Sequence, residues 1–240
     1  MKKLETVNNF KKGVSDGMPI GLGYLSVSFA FGIVATSSNI PIIASVLMSL
    51  TNLTSAGQFA ALQIIVAGGT LIELAISQVV INLRYSLMSI SLSQKLHSSV
   101  KPKDRFAIAF GITDEIFAIA MSKPGEIGTK YFLGLMLLPI IGWTGGTFLG
   151  AAASSILPDS IRVALGVALY VMFIAIVIPN AKKSKAIAAA AGIAVALSCM
   201  FTYVPFLKSV STSFAPIISA VVASAIMAAV APVREDGDEK

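Results

Sequence analysis

The feature that constrains this sequence most is a series of seven or eight long apolar segments. Most of them are close to the ~20 residues that a helix needs to cross the hydrocarbon core of a bilayer. Only 12% of the 240 residues are charged, which is too few to cover the surface of a soluble protein of this length. An ordinary soluble enzyme, a disordered chain and a disulfide scaffold are therefore excluded. The segments run approximately over 17–37, 41–69, 70–93, 106–122, 129–152, 161–179, 185–202 and 210–231.

The segments lack the alternating pattern of transmembrane strands, so helices are expected. We predict an all-α polytopic membrane protein with one transmembrane domain over 17–231. A cytoplasmic N-terminal segment, 1–16, precedes this domain, and a charged cytoplasmic tail, 232–240, follows it.

Basic residues indicate the orientation, because cytoplasmic loops are enriched in Lys and Arg. The N-terminus, the 94–105 loop and the 180–185 loop are all basic. If every segment crossed the membrane, the 94–105 loop would lie outside. We therefore predict about six full transmembrane helices plus two broken or re-entrant segments, 41–69 on the outer side and 106–122 on the inner side. This pattern is compatible with an inverted repeat. The alternative is that 41–69 is one long tilted helix.

A few charged residues lie inside the apolar segments, where an ionised side chain is costly. Glu73 and Arg84 share one face of the 70–93 helix with Ser77, but they are about three turns apart and cannot pair. Arg84 therefore needs a partner elsewhere, and Asp114 or Glu115 is the obvious candidate. Arg84 either holds a substrate carboxylate or extends to the membrane interface.

Two adjacent carboxylates, Asp114 and Glu115, lie inside the 106–122 segment. One could pair with Arg84. The other, if removed from water, could bind and release a proton near neutral pH. Alternatively both carboxylates stabilise the N-terminus of a helix that begins here, and the two interpretations are compatible in a broken helix.

Small and polar residues occupy the centre of the 41–69 segment, over 51–59. An unwound turn here would let a helix N-terminus at Ser55–Gln58 present N–H groups to an anionic carboxylate. The alternative is close helix packing, although Gln58 needs a polar partner in either case. For Asn82, packing and substrate hydrogen bonding are both open. Gly142, Gly146 and Gly150 have the four-residue spacing of closely packed helices, either within this chain or with a second subunit.

Catalytic and metal-binding patterns are missing. The sequence has no Ser/His/Asp set, no H-E-x-x-H and no P-loop, and its single cysteine, Cys199, excludes an internal disulfide and a cysteine metal cluster. We expect no enzymatic activity, no cofactor and no metal. The net charge of +6 reflects cytoplasmic loops facing membrane lipid, with no nucleic-acid partner.

Five sequence blocks, in order over residues 14–120, carry a resemblance to a known family. The chain resembles the AzlC family, the large subunits of branched-chain amino acid exporters. The blocks are Asp16-Gly17-Met18-Pro19-Ile20, Phe29-Ala30-Phe31-Gly32, Ser55-Ala56-Gly57-Gln58-Phe59, Asn82-Leu83-Arg84-Tyr85 and Gly111-Ile112-Thr113-Asp114-Glu115-Ile116-Phe117.

The resemblance implies a permease of the bacterial inner membrane that exports leucine, isoleucine, valine and also methionine. It further implies proton-driven transport and a small hydrophobic AzlD-like partner subunit. Tyr85 stands where the family often has His, and Glu73 has no acidic counterpart there. From these blocks and the buried charges, we expect substrate binding at Ser55, Gly57, Gln58, Asn82, Arg84, Tyr85 and Thr113, and proton coupling at Asp114, Glu115 and Glu73.

The function predicted from the sequence is therefore a secondary transporter subunit that exports branched-chain amino acids. The substrate carboxylate would meet Arg84 or the N–H groups near Gln58, and its ammonium would meet Asp114 or Glu115. The alternative is a non-transporting membrane scaffold or sensor. An intramembrane enzyme ranks last.

Overall fold

The structure is a computed structural model that describes residues 6–154, 156–158, 160, 174, 177–179, 181–182, 184–210 and 214–231. Most of the predicted 161–179 segment, together with Asp159, Arg162, Lys183 and the 232–240 tail, lies outside these residues. The chain divides into two compact units. The first comprises 1–62 and 81–167, and the second comprises 63–80 and 168–240. The expected domain boundaries and the single transmembrane domain remain predictions.

Helices account for nearly all of the described chain, and its β-structure is limited to isolated bridges. Besides a short 3₁₀ helix, Pro205–Ser209, the α-helices are α1 Phe10–Ser37, α2 Ile42–Thr51, α3 Ser55–Val66, α4 Leu71–Lys95, α5 Pro102–Phe110, α6 Asp114–Ser122, α7 Thr129–Ala153, α8 Lys185–Tyr203 and α9 Phe214–Val230.

Four described helices, α1, α4, α7 and α8, are long and apolar enough to cross a membrane. The all-α polytopic class is confirmed, and these helices match four of the six predicted full spans. The predicted start of the first segment at residue 17 is too late, because α1 begins at Phe10. The Asn9 side chain caps this helix by accepting a hydrogen bond from the Lys12 amide at 3.1 Å, so polar residues form its first turns.

Parallel packing of α1 against α7 forms the centre of the first unit. Glycines on each helix allow this close approach. A Cβ at Gly17 would lie 2.2 Å from the Leu135 carbonyl oxygen, and one at Gly150 would lie 1.9 Å from that of Phe29. The predicted small-residue face of α7 therefore packs within this chain, against α1. The Ser28 hydroxyl adds an interhelical bond to the Gly142 carbonyl at 3.2 Å.

Both segments predicted to be broken are interrupted near their centres. Between α2 and α3, Asn52 is extended and its side chain accepts the Thr54 amide at 3.2 Å. Between α5 and α6, helix α5 ends at Gly111, where a Cβ would lie 2.4 Å from Met136 Sδ. Each of these helices is too short to cross a bilayer alone. Whether the pairs are re-entrant stays a prediction.

The two broken segments follow the same plan along the sequence. Thr54 and Thr113 occupy equivalent positions just before α3 and α6. When the number of residues between these two threonines is added to the helix bounds, α2 coincides with α5 to within one residue at each end. On the same basis, α1 coincides with α4 to within two residues. The C-terminal end of α4 lies beside the N-terminal end of α1, as the following contacts show, so the second copy is inverted relative to the first. This is the pattern of inverted repeats in transporters.

Three basic parts of the chain meet at one end of the first unit. The Val7 amide donates to the Glu126 carbonyl at 2.8 Å, and the Ile127 amide donates to the Lys95 carbonyl at 2.9 Å. Lys95 Nζ also donates to the carbonyls of Met121 and Lys123, each at 2.5 Å. The N-terminus, the start of the 94–105 loop and the connection before α7 therefore lie together, as the predicted topology requires. We call this region the basic end.

A partly buried carboxylate and an apolar cluster stabilise the basic end. Asp16 forms ion pairs with Lys12 at 2.6 Å and with Lys123 at 2.8 Å, and it accepts the Tyr131 hydroxyl at 2.8 Å. The core of the unit lies next to these groups and includes Leu92, Ile108, Ile116, Ile127, Tyr131 and Phe132.

Candidate functional site

An ion pair between two helices is the most chemically distinctive feature of the first unit. Arg84 Nη2 on α4 lies 2.8 Å from Asp114 Oδ2 on α6. Of the two partners expected for Arg84, the structure therefore selects Asp114. Both side chains are nearly half exposed, at 48% and 41%. Because neither group is enclosed, a bound molecule has access to both charges.

Tyr85 completes the surroundings of the guanidinium. The Arg84 side chain donates to the Tyr85 hydroxyl at 3.2 Å and lies over the Tyr85 ring, 5.0 Å from its centroid. A cation over an aromatic face is attracted by the negative charge of the ring face. Tyr85 therefore restrains Arg84 from a second direction. Asn82, one half-turn earlier on α4, is partly buried.

The N-terminus of α6 positions the acidic side of the site. Thr113 is extended and caps the helix, its Oγ1 accepting the Ile116 amide at 3.4 Å. Asp114 and Glu115 follow in the first turn, where the helix dipole favours negative charge. The predicted capping arrangement and the predicted Arg84 ion pair therefore occur together.

Tyr24 of α1 contacts this N-terminus and was not among the residues predicted from the sequence. Its hydroxyl is shared between Thr113 Oγ1, at 2.7 Å, and the Glu115 carboxylate, as donor. A tyrosine in a long apolar segment requires a hydrogen-bond partner when buried, which was the available signal. The sequence does not say where that partner lies.

A second polar cluster, which we call the Gln58 network, holds the other broken segment. Gln58 on α3 is fully buried. Its Nε2 donates to Ser49 Oγ on α2 at 2.5 Å, and its Oε1 accepts Trp143 Nε1–H on α7 at 2.8 Å. Ser49 also bonds Thr147 Oγ1 at 2.6 Å. The polar partners that Gln58 was predicted to need are therefore Ser49 of α2 and Trp143 of α7, and Thr147 extends the network through Ser49.

The N-terminus of α3 is partly occupied by its own chain. The Gly57 amide donates to Thr54 Oγ1 at 3.0 Å, so this N–H already has an acceptor. Ser55 Oγ is buried and has no hydrogen-bond partner among the residues that the structure describes. Ser55 was among the residues predicted to bind substrate here, and its hydroxyl is not engaged by these residues.

Glu73 lies in the second unit and contacts the start of its own helix. Its carboxylate accepts the Thr70 amide at 2.7 Å, and Thr70 Oγ1 accepts the Glu73 amide at 3.2 Å. This reciprocal pattern is a capping box. It gives Glu73 a structural role that does not depend on proton coupling.

An aromatic contact joins the two polar clusters. The rings of Tyr24 and Trp143 meet edge to face, with centroids 5.4 Å apart and planes at 69°. The structure therefore brings Arg84, Tyr85, Thr113, Asp114 and Glu115 together directly, and it links this group to Gln58 through Tyr24 and Trp143.

Comparison with known proteins identifies the family. Residues 19–157 match the family described as AzlC protein. The chain is 32% identical over 200 residues to a membrane protein of Archaeoglobus fulgidus, covering 82% of this chain and 88% of that protein. It is 27% identical over 196 residues to the inner membrane protein YgaZ of Escherichia coli, covering 79% and 80% respectively. No solved structure matches.

The matched region contains both broken segments, the Arg84–Asp114 ion pair and the Gln58 network. The resemblance drawn from the sequence blocks is confirmed. This chain belongs to the AzlC family of multi-pass membrane proteins.

Proposed function

We propose that this chain is the large subunit of a secondary transporter that exports branched-chain amino acids. Leucine, isoleucine and valine are the principal substrates, and methionine is a further one. The observation that carries the proposal is the half-exposed Arg84–Asp114 ion pair at the N-terminus of a half-length helix. Transporters commonly place substrate and coupling-ion sites at such interrupted helices.

The ion pair matches the charges of an amino acid zwitterion. The guanidinium of Arg84 can bind the substrate carboxylate through two parallel hydrogen bonds. The carboxylate of Asp114 or Glu115 then binds the substrate ammonium. The substrate thus replaces one charge-assisted contact with two, and Arg84 and the carboxylate that binds the ammonium each keep a partner of opposite charge. A branched apolar side chain fits the surrounding apolar helices.

Proton coupling belongs to the same two carboxylates in this proposal. When Arg84 turns to the substrate carboxylate, Asp114 or Glu115 binds the substrate ammonium, and the other of these two carboxylates has no cationic partner. A carboxylate without a cation in a poorly solvated site favours its protonated form. Proton binding at Asp114 or Glu115 is therefore linked to substrate occupancy. Glu73 is a weaker candidate, because its carboxylate caps α4.

The proposed complex contains a small hydrophobic AzlD-like subunit in a bacterial inner membrane. Both termini of the large subunit face the cytoplasm. Family membership supports the second subunit, and the basic end supports the orientation through the positive-inside rule.

Export from cells tests this proposal. Cells that lack their own exporters would express the chain with its small partner and be fed a leucine-containing dipeptide, so that leucine accumulates inside. Leucine appearing in the medium reports export. We expect Arg84→Gln and Asp114→Asn to reduce export at least tenfold, equivalent to losing about 1.4 kcal/mol or more of binding or transition-state stabilisation.

Arg105→Gln is the matched control, because Arg105 is also an exposed arginine of the first unit but lies in the first turn of α5, at the end of the basic 94–105 loop. It should leave export unchanged. If both Arg84→Gln and Asp114→Asn exported leucine at the wild-type rate, the site would be wrong. If the wild type assembled with its partner but exported no measurable leucine, the scaffold function would be favoured.

A further inference from the structure

The two broken segments are held by side chains that touch each other. Tyr24 of α1 binds the start of α6 through Thr113 and Glu115. Trp143 of α7 binds the start of α3 through Gln58. The two rings are in edge-to-face contact. A continuous set of side chains therefore joins the N-terminus of one half-length helix to that of the other.

The Trp143 end of this connection has little freedom to adjust. Trp143 is 1% exposed and Gln58 is fully buried. Because both side chains are buried, a displaced indole N–H would carry the cost of an unpaired buried donor. A displacement of Trp143 is therefore expected to displace α3 as well, because breaking their hydrogen bond is costly.

At the other end of the connection, Tyr24 donates a hydrogen bond to the carboxylate of Glu115. Glu115 is exposed, and its hydrogen bond with the tyrosine hydroxyl is charge-assisted and therefore stronger than a neutral one. Neutralising Glu115, or drawing it toward a bound cation, weakens this bond. The tyrosine ring can then shift against Trp143.

We propose that Tyr24 is a positioning residue that couples the α5–α6 break to the α2–α3 break through Trp143. The coupling is a property of these side chains whatever the transported molecule. Its use in transport rests on the proposed function: a substrate ammonium at Asp114 or Glu115 would alter the Tyr24 contact and thereby the packing of α3. Inverted-repeat transporters need such coordination between their two halves.

The sequence supplies its own reporter for this coupling, because Trp143 is the single tryptophan. The experiment measures tryptophan emission from the purified protein carrying Glu115→Gln, with and without Tyr24→Phe. Tyr24→Phe keeps the ring that packs on Trp143 and removes only the hydroxyl. We expect Glu115→Gln to shift the emission maximum, and Tyr24→Phe to reduce that shift by more than half.

Tyr131→Phe is the matched control. Tyr131 is also a buried tyrosine of the first unit, and its hydroxyl also bonds a carboxylate, that of Asp16. It should leave the Glu115→Gln shift intact. Equal shifts with and without Tyr24→Phe would overturn the proposal, as would the absence of any shift in the wild-type background. If Glu115→Gln does not fold, Thr113→Val perturbs the same hydroxyl and replaces it.

A leucine titration separates this inference from the proposed function. Radiolabelled leucine measures binding, and tryptophan emission measures the response at Trp143. Without leucine binding to the wild-type complex the proposed function fails, and the Glu115→Gln comparison still decides the coupling. With binding present, we expect Tyr24→Phe to retain binding and lose most of the emission change. If leucine changed the emission of Tyr24→Phe as much as that of the wild type, the coupling would be contradicted.

Discussion

At the scale of single residues, Arg84, Glu115 and Gln58 each have an identified partner inside the first unit. Arg84 pairs with Asp114, Glu115 accepts from Tyr24, and Gln58 bonds Ser49 and Trp143. The sequence predicted that these residues need partners, since burial without one is costly. Only for Arg84 did it suggest the partner, because pairing across distant segments leaves no local signal.

The Gln58 network makes a prediction about stability. Gln58→Leu leaves the buried Trp143 N–H without an acceptor, and we expect it to destabilise the protein by about 1–3 kcal/mol. Gln63→Leu is the control, because Gln63 lies on the same helix and is exposed. Thermal unfolding of the purified variants in detergent measures the difference. Equal unfolding midpoints would show that the network does not stabilise α2 and α3.

At the scale of helices, the two interruptions could be predicted and the helix contacts could not. The interruption of 41–69 was expected from its polar run at 51–59. That of 106–122 was expected from the count of basic loops and from the two carboxylates, which suit a helix N-terminus. The early start of α1 was missed because residues 10–16 are polar, whereas the deciding feature is the Asn9 cap. The spacing of Gly142, Gly146 and Gly150 indicated close packing without identifying α1 as the partner.

Two glycines of α7 provide a matched test of that packing. Gly150→Ala would place a Cβ 1.9 Å from the Phe29 carbonyl oxygen, whereas Gly145→Ala meets nothing within 4 Å. Backbone atoms cannot yield easily, so we expect Gly150→Ala to cost about 1–3 kcal/mol. Gly145→Ala should be neutral or stabilising by up to about 1 kcal/mol, from helix propensity. Unfolding midpoints in detergent compare them, and a tolerated Gly150→Ala would contradict the α1–α7 contact.

At the scale of the whole molecule, the charges and the breaks give one consistent topology. The few charged residues suggested a membrane protein, and counting basic loops required segments that do not cross fully. The structure brings the N-terminus, the 94–105 loop and the connection before α7 to one end. This end is basic, and the positive-inside rule therefore predicts that it faces the cytoplasm. The sequence was compatible with an inverted repeat, but the matching helix spacing of 10–66 and 71–122 required the helix bounds, which the sequence does not define.

Cysteine labelling tests this topology. Cys199→Ala removes the single native cysteine, and Ser98→Cys then places a thiol in the 94–105 loop. We expect a membrane-impermeant maleimide to label it in inside-out vesicles and not in intact cells. Ser37→Cys, at the opposite end of α1, is the control and should show the reverse pattern. Labelling of Ser98→Cys in intact cells alone would invert the topology.

Transport itself is the central claim, and counterflow tests it most directly. Proteoliposomes containing the purified complex would be loaded with unlabelled leucine and diluted into radiolabelled leucine, with and without a pH gradient. We predict transient accumulation of label by the wild type, a response to the gradient, and no accumulation by Asp114→Asn. Accumulation no greater than in protein-free liposomes, or equal accumulation by Asp114→Asn, would contradict the account.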